Sequence, residues 1–418
     1  MYHKDVLDNG VVIVGEEMPG VNSVAVSFWV KTGSRFEEPE EAGISHLIEH
    51  LLFKGTRKRD AKQIAESIEE VGGQLNAFTS KEYTCFYVRV LEEYLPLAVD
   101  VLSDMLFNSL FSEDAINREK GVVAEEISMY EDTPDDIIHD YFSQTIWDGH
   151  PLGRPIIGTM DSLSSINRDR ILSYHKRYYS SSNLVVALAG KFQHREAVDL
   201  LESALAPLSG EKVETQITPP QTRILSKSFF RDLEQVQICM GVQGVSLYDE
   251  DLYRQQLLNS ILGGGASSRL FQSIREQRGL VYSIYSYNVS FSDSGLFIIY
   301  AGTNPANYQE VLDISRGEIQ AIIESGISPK EMQRAKTQAK GSLLLAQESV
   351  LNRVHRLGKS ELVHQRFVTI DEVLEKLNKL TEADLQVFAH RIFDSGQMTI
   401  TVLGPLDEVK LQKHNSSL

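Results

Sequence analysis

Three polar residues within five positions, His46, Glu49 and His50, have residue types and a spacing that suit a zinc site. If the segment is helical, at about 100° per residue, the two imidazoles and the carboxylate share one face. Two neutral imidazoles one helical turn apart chelate zinc, and a nearby carboxylate that does not bind the metal can act as general base on zinc-bound water. The motif, H-x-x-E-H, has the inverse order of H-E-x-x-H. The opposite arc of this helix is apolar and can be buried, since it carries Leu47, Ile48, Leu51 and Leu52.

A simpler interpretation of the triplet is two half-buried histidines and a solvated glutamate on an ordinary helix. The zinc hypothesis requires a third ligand, because a catalytic zinc site usually has three protein ligands and a water. Ser112 opens a helix in which Glu119 and Glu126 lie nearly in register on one face, whereas Glu125 is turned away by about 100°. One of the two carboxylates on the shared face can bind the metal while the other supports a ligand from behind.

The elements that position these residues are readable in the first half of the sequence. Residues 11–16 and 23–31 are rich in Val, Phe and Trp, which predicts two strands that pair through a turn at Met18-Pro19-Gly20. After the His46 helix, residues 60–71 form an amphipathic helix that ends at a glycine pair. Residues 74–90 favour two strands joined by a turn, and residues 184–189 a buried strand.

The pattern then begins again. Residues 207–221 are polar and proline-bearing, which indicates an interdomain linker. Past it, a strand at 236–242 mirrors residues 24–30, and a helix followed by three glycines takes the place of the His46 helix. We therefore predict an α+β fold of two homologous halves, residues 1–206 and 222–418, each a mainly antiparallel sheet packed with helices. The second half has no H-x-x-E-H and is predicted to be metal-free.

The composition limits the function classes. The sequence has 418 residues, 42% of them hydrophobic and 24% charged, which is typical of a globular protein with more than one core. Its net charge of −17 argues against nucleic acid, and favours cationic partners such as basic peptides unless it serves solubility alone. No apolar run approaches the roughly 18 residues of a membrane span.

The N-terminus and the cysteines indicate the compartment. The first ten residues contain no basic region followed by an apolar stretch, so neither a signal peptide nor a transit peptide is predicted. We expect a cytoplasmic protein, although a mature chain whose leader had been removed would give the same pattern. Cys85 and Cys239 lie in apolar, strand-like runs and are predicted to be reduced core residues.

Several segments resemble the M16, or pitrilysin-like, zinc peptidases, and in particular the bacterial relatives of the mitochondrial processing peptidase β-subunit. They are W-V-K-T-G-S-R-F-E-E at 29–38, G-I-S-H-L-I-E-H-L-L-F-K-G-T at 43–56, L-N-A-F-T at 75–79, R-E-K-G-V-V-A-E-E-I at 118–127, and G-G-G-A-S-S-R-L-F-Q-S-I-R-E-Q-R-G-L-V-Y at 263–282. The resemblance implies that His46, His50 and Glu126 are the zinc ligands and that Glu49 is the base. Glu119 matches the second functional glutamate of the family.

The resemblance also implies how substrate is held. Arg275 and Tyr282 match an Arg and Tyr pair that clamps the substrate from the C-terminal half or stabilises the oxyanion. Taken alone, Arg275 is a solvated helix charge and Tyr282 a half-buried strand residue. The strand edge at Asn76 and Ala77 is implied to take the peptide as an added strand, whereas alone it is only a strand entry.

From these residues we predict a zinc endopeptidase that hydrolyses unfolded peptides or presequence-like segments inside an enclosed chamber. A homodimer is the simplest assembly, because the chain holds both the metal motif and the Arg and Tyr pair; a heterodimer with a like-sized relative is the other. Two alternatives stay open, a non-catalytic scaffold or assembly subunit of the same fold and a metal-binding module without catalysis.

Overall fold

The computed structural model of the protein describes residues 1–210, 213, 217–393 and 397–406. The chain divides into two compact units, each built from three separate parts. Unit 1 contains Met1–Ser128, Arg154–Gln216 and Leu344–Val368, and unit 2 contains Met129–Gly153, Ile217–Leu343 and Thr369–Leu418. The predicted boundaries divide the chain once, at the linker. In the structure, residues 129–153 of the first half belong to unit 2, and residues 344–368 of the second half belong to unit 1, so the two units exchange these segments. The predicted linker at 207–221 lies partly outside the described residues, at 211, 212 and 214–216.

The helices and strands alternate along the chain in a mixed order. The strands are β1 (Tyr2–Val6), β2 (Val12–Glu17), β3 (Ser23–Val30), β4 (Gln74–Thr79), β5 (Thr84–Leu91), β6 (Leu184–Gly190), β7 (Ser226–Phe230), β8 (Val236–Gln243), β9 (Val281–Ser290), β10 (Gly295–Thr303) and β11 (Thr399–Gly404). The α-helices are α1 (Ile44–Leu52), α2 (Ala61–Glu69), α3 (Leu95–Asn108), α4 (Glu113–Glu131), α5 (Pro134–Ile146), α6 (Met160–Ser165), α7 (Arg168–Tyr178), α8 (His194–Leu205), α9 (Leu252–Leu262), α10 (Tyr308–Ser325), α11 (Pro329–Ala346), α12 (Val350–His364), α13 (Ile370–Lys379) and α14 (Glu382–Phe393).

Unit 1 contains a six-stranded sheet in the order β1-β2-β6-β3-β5-β4. β6 lies between β2 and β3, parallel to the first and antiparallel to the second, so the predicted direct pairing of residues 11–16 with 23–31 is wrong. All seven residues of β6 are buried, which suits a central strand covered on both faces. The predicted strand pair within residues 74–90 forms, because β4 pairs antiparallel with β5.

Unit 2 contains a five-stranded sheet in the order β7-β11-β8-β10-β9. β7 is parallel to β11 and the other neighbours are antiparallel. Apart from β1, the sheet of unit 1 has the same order and the same directions. The predicted α+β class, with two homologous halves of mainly antiparallel sheet, is confirmed. Each sheet has one parallel pair, because the last strand of each repeat lies between its first two strands: β6 between β2 and β3, and β11 between β7 and β8.

Helices cover both faces of the unit 1 sheet. Alternate residues of β3 point to opposite faces, so that Val26 and Phe28 pack in the core that contains α1 and α3, whereas Trp29 packs against α12. The contact with α12 is close, since a Cβ placed at Gly358 would overlap the Trp29 indole. The exchanged segment 344–368 is therefore part of the core of unit 1. In unit 2, α5 packs in the same way against β8 and β11.

Cys85 and Cys239 are free and buried, as predicted. Among the described residues, none of the helices has both the length and the hydropathy that a membrane span requires.

Candidate metal centre

The predicted zinc helix forms as α1, and its apolar back anchors it in the core. Leu47, Ile48, Leu51 and Leu52 are at most 2% exposed. The helix begins after Gly43, whose φ of +93° lies in the left-handed region that glycine favours. The polar face is less covered, because the side chains of His46 and His50 are 18% and 19% exposed. α1 therefore presents its polar residues at a partly open surface.

Helix α4 brings Glu126 to the two imidazoles. Glu126 Oε2 lies 4.0 Å from His46 Nε2 and 3.6 Å from His50 Nε2. One ligand atom from each of the three residues lies within 4.8 Å of the other two, and no second group of three or more such residues was found in the described part of the chain. The neighbouring Glu125 is exposed, as its position on the helix predicts.

The donor set and its spacing fit zinc. Two imidazole nitrogens and one carboxylate oxygen form a ligand set found in catalytic zinc sites. Donors about 2.0–2.1 Å from a tetrahedral zinc are separated by about 3.3 Å, so the observed 3.6 Å and 4.0 Å need only small side-chain movements. Burial, with a smaller effect of the His50 charge, lowers the pKa of His46 to about 4, which favours the neutral imidazole that binds metal.

Glu119 lies behind His50. Its Oε2 is 3.5 Å from His50 Nδ1, the ring nitrogen opposite the one that faces Glu126. Its Oε1 is 3.1 Å from Lys54 Nζ, and the Glu119 side chain is only 7% exposed. A carboxylate at the second nitrogen of a metal-binding histidine fixes the ring orientation and raises ligand basicity. The geometry suits this supporting role, which stays a prediction.

Glu49 lies on the same face of α1 but outside the three-residue cluster. Its Oε2 accepts a hydrogen bond from Thr79 Oγ1 at 2.5 Å. Burial raises the pKa of Glu49, and the charge of Glu126 acts in the same direction, while the Thr79 hydrogen bond and the charge of His50 oppose the rise. Thr79 is the last residue of β4, so the end of this strand is joined directly to the predicted base.

The predicted peptide-binding residues Asn76 and Ala77 lie on β4, which is the edge strand of the unit 1 sheet. Asn76 is exposed and its side-chain oxygen accepts a hydrogen bond from the Ala77 N–H at 2.8 Å. An edge strand offers unpaired backbone groups to an extended peptide. A strand added here would run beside the end of β4 that contacts Glu49.

Arg275 and Tyr282 belong to unit 2, where the structure brings them together. The Arg275 guanidinium lies 5.8 Å from the centre of the Tyr282 ring, which is a cation–π distance, and Tyr282 is 80% exposed. Both residues occupy irregular backbone. Arg275 is in a π-helical turn, Phe271–Glu276, and Tyr282 is the extra residue where the register of β9 against β10 shifts. Such irregularities often mark functional sites.

Comparisons with known proteins identify the family. The model "Insulinase (Peptidase family M16)" matches residues 12–160, and "Peptidase M16 inactive domain" matches residues 165–339. The "Uncharacterized zinc protease YmxG" of Bacillus subtilis is 42% identical over 385 residues, which are 92% of this chain and 94% of that protein. The chain belongs to peptidase family M16. A second relative, the "Uncharacterized zinc protease SCO5738" of Streptomyces coelicolor, is 40% identical to this chain. The match covers 96% of this chain and 89% of that protein.

Solved structures share the fold. A protease from Helicobacter pylori has a TM-score of 0.89 at 23% identity, and covers 97% of this chain and 99% of its own. A "peptidase M16 inactive domain" from Pseudomonas fluorescens has a TM-score of 0.91 at 20% identity, with coverages of 97% and 98%. A chain of Complex III2 from Candida albicans has a TM-score of 0.85 at 21% identity, with coverages of 98% and 99%. At these identities the likeness concerns the fold alone.

Membership of M16 and the names of its relatives together support a zinc peptidase. The particular resemblance to the processing peptidase β-subunit stays a prediction. Three side chains that contact residues around the metal cluster were missed in the sequence: Thr79, which bonds Glu49, Lys54, which pairs with Glu119, and Glu37, which bonds backbone N–H groups at the start of α1. Each lies in a segment that resembles the family, but its role depends on a contact with another element, and no periodicity signals such a contact.

Proposed function

We propose that this M16 chain is a zinc-dependent endopeptidase in which His46, His50 and Glu126 hold the metal and Glu49 is the general base. The observation that carries the proposal is the convergence of these three ligand atoms beside a carboxylate that does not belong to their cluster. Zinc, when bound, supplies a Lewis acid that polarises a carbonyl and makes a water more acidic. The remaining chemistry belongs to side chains of the protein.

Glu49 moves the proton. Because its Oε2 accepts the Thr79 hydroxyl, Oε1 is the atom left to receive a proton from the attacking water. The water oxygen bonds to the carbonyl carbon, and as the C–N bond breaks the same carboxyl returns the proton to the leaving nitrogen. Glu119 supports this arrangement by facing the Nδ1 of His50, on the side away from Glu126.

The substrate is an extended segment of peptide. The exposed edge of β4, at Asn76 and Ala77, supports binding as an added strand that leads toward Glu49. Arg275 and Tyr282 form an exposed pair that would hold the substrate or stabilise the oxyanion. The net charge of −17 supports attraction of basic peptides, including presequence-like segments.

Metal analysis combined with peptide cleavage tests the proposal. We expect about one zinc per chain and cleavage of a quenched basic peptide by the wild type. The Glu49→Gln variant should keep its zinc and lose about 10²- to 10⁴-fold in rate, the usual contribution of a general base. Glu125→Gln is the matched control, because this exposed carboxylate is close in sequence to the ligand on α4 but is turned away from it.

The alternative is a non-catalytic assembly subunit, and the shared fold with a chain of Complex III2 is the observation that favours it. A wild-type protein that binds zinc and cleaves no peptide of any length would refute the peptidase and favour that alternative or a plain metal-binding module. The enclosed chamber, the cytoplasmic location and the homodimer stay predictions. Size-exclusion chromatography with light scattering tests the dimer, for which a particle of twice the chain mass is expected.

A further inference from the structure

Glu37 is a buried carboxylate at the N-terminal end of α1, and the proposed chemistry does not use it. The residue is 4% exposed. Its Oε2 accepts a hydrogen bond from the Gly43 N–H at 2.8 Å, and its Oε1 accepts one from the Ser45 N–H at 2.9 Å. Gly43 is the N-cap of α1 and Ser45 lies in its first turn, where backbone N–H groups have no partner within the helix. One carboxylate thus satisfies two of them and places negative charge at the positive end of the helix.

Other contacts fix the same end of α1. The backbone of Gly43 packs closely on a neighbouring loop, since a Cβ there would come within 2.6 Å of the carbonyl oxygen of Ile157. The Ser45 hydroxyl lies 2.8 Å from the Tyr174 hydroxyl. The backbone carbonyl of Glu37 itself accepts a hydrogen bond from Arg154 Nη2 at 2.9 Å, so the segment that carries the carboxylate is also held in place.

The helix depends on such anchoring because it is short. α1 has nine residues, and isolated helices shorter than about 12–15 residues are marginal in water. Its two imidazoles lie in its first and second turns, so a shift at the start of the helix displaces both. A displacement of about 1 Å would exceed the roughly 0.5 Å within which the residues of such a site must be held.

We propose that Glu37 is a positioning residue, which clamps the N-terminus of α1 and so presets His46 and His50 for zinc. The inference rests on the proposed function, since it concerns the same metal site. Glu37 is not a member of the metal cluster and acts through its contacts with Gly43 and Ser45 at the start of α1. Its carboxylate is needed because both oxygens accept from N–H donors, whereas a glutamine would direct an NH₂ group at one of those donors.

The test compares Glu37→Gln with Glu361→Gln, using the full chain. Glu361 is a matched control, because it is also a buried carboxylate of unit 1, at 5% exposure, but it bonds Lys4 Nζ at 2.7 Å from α12 on the other face of the sheet. Zinc affinity is measured by competition with a chromophoric chelator, and amide hydrogen exchange of α1 is measured in metal-free protein by mass spectrometry. For Glu37→Gln we expect the zinc Kd to rise about 10- to 100-fold, the usual effect of losing a supporting contact. We also expect α1 amides to exchange at least about tenfold faster.

The control should change neither readout by more than about twofold. Glu37→Asp, which keeps two acceptor oxygens on a shorter side chain, should recover part of the zinc affinity. An unchanged zinc Kd in Glu37→Gln, or an equal loss in Glu361→Gln, overturns the proposed role. If the wild type binds no zinc, the proposed function fails instead, and the exchange of α1 in metal-free protein still decides whether Glu37 clamps the helix.

Discussion

The hydrogen bond from Thr79 to Glu49 provides a direct test of how the proposed base is held. Thr79 Oγ1 donates to Glu49 Oε2 at 2.5 Å, from the last residue of the edge strand to the polar face of α1. Thr79→Val removes the hydroxyl and keeps the branched shape, so strand and packing should be preserved. Glu49 would then lose the hydrogen bond that occupies its Oε2 and leaves Oε1 to receive the proton of the attacking water.

The size of the effect follows from the hydrogen bond. A hydrogen bond to a charged group contributes about 1.5–3 kcal/mol, and about 1.4 kcal/mol corresponds to a factor of ten. Complete loss would therefore lower kcat/KM by about 10- to 150-fold. Because Glu49 is only partly buried and a water can replace the hydroxyl, we expect a decrease of about tenfold. Steady-state cleavage of a quenched peptide measures it, with zinc content determined on the same sample.

Thr79→Ser is the control, since it keeps the donor at the same position and should remain within about threefold of the wild type. Zinc content should be unchanged in both variants, because Thr79 contacts none of the three predicted ligands. A Thr79→Val protein that keeps full zinc and a kcat/KM within twofold of the wild type would refute the reasoning. So would a serine variant as impaired as the valine variant.

Three further predictions concern the metal and the two units. Glu126→Gln should raise the zinc Kd more than about 100-fold, while Glu125→Gln leaves it unchanged; equal effects in a chelator competition would sink the ligand assignment. Gly358→Ala should destabilise unit 1 by about 1–3 kcal/mol, because the new methyl group overlaps a buried indole, and a urea midpoint no lower than that of the wild type would contradict this packing. Burial raises the pKa of Glu331, but hydrogen bonds from Arg269 and Ser328 outweigh it and lower this pKa to about 2, so the ionised carboxylate stabilises the protein above pH 4.5 and the contribution disappears as the pH falls toward 2. Glu331→Gln should therefore cost about 1–2 kcal/mol at pH 7 and nothing near pH 2, and a loss independent of pH would show that the charge is not responsible.

The residues of the metal cluster could be predicted because each helix groups its own candidates within one or two turns. His46 and His50 lie one turn apart, and the carboxylates of α4 lie two turns apart, so helical geometry alone groups each set on one face. The apolar back of α1 follows from the same period and is buried. Neither period shows that the two helices meet. The need for a third ligand made the carboxylates of α4 candidates, and the resemblance to M16 selected Glu126. The distance of 3.6 Å between His50 and Glu126 is information that only the structure supplies.

The strand order could not be predicted from periodicity. Residues 11–16 and 23–31 are near in sequence and alternate well, which favours a hairpin. β6, more than 150 residues later, displaces that pairing because its side chains are apolar on both faces and must be buried in the middle of a sheet. The exchange of residues 129–153 and 344–368 between the units is non-local in the same sense, and the close fit of Gly358 on Trp29 is visible only in three dimensions.

The second repeat shows how a shared topology can carry a different role. Its sheet has the strand order of the first, but the helix that follows β8 carries no imidazole, and the residues singled out in unit 2 lie on irregular backbone. The π-helical turn carries Arg275 and the register shift carries Tyr282, so that the guanidinium and the exposed ring meet at 5.8 Å. A regular helix and a regular strand would direct these side chains elsewhere. Both irregularities lose hydrogen bonds or regular strand pairing. Such losses are typical of positions at which the direction of a side chain is important for function. The backbone of unit 2 therefore supports a functional role for this pair, independently of the sequence resemblance.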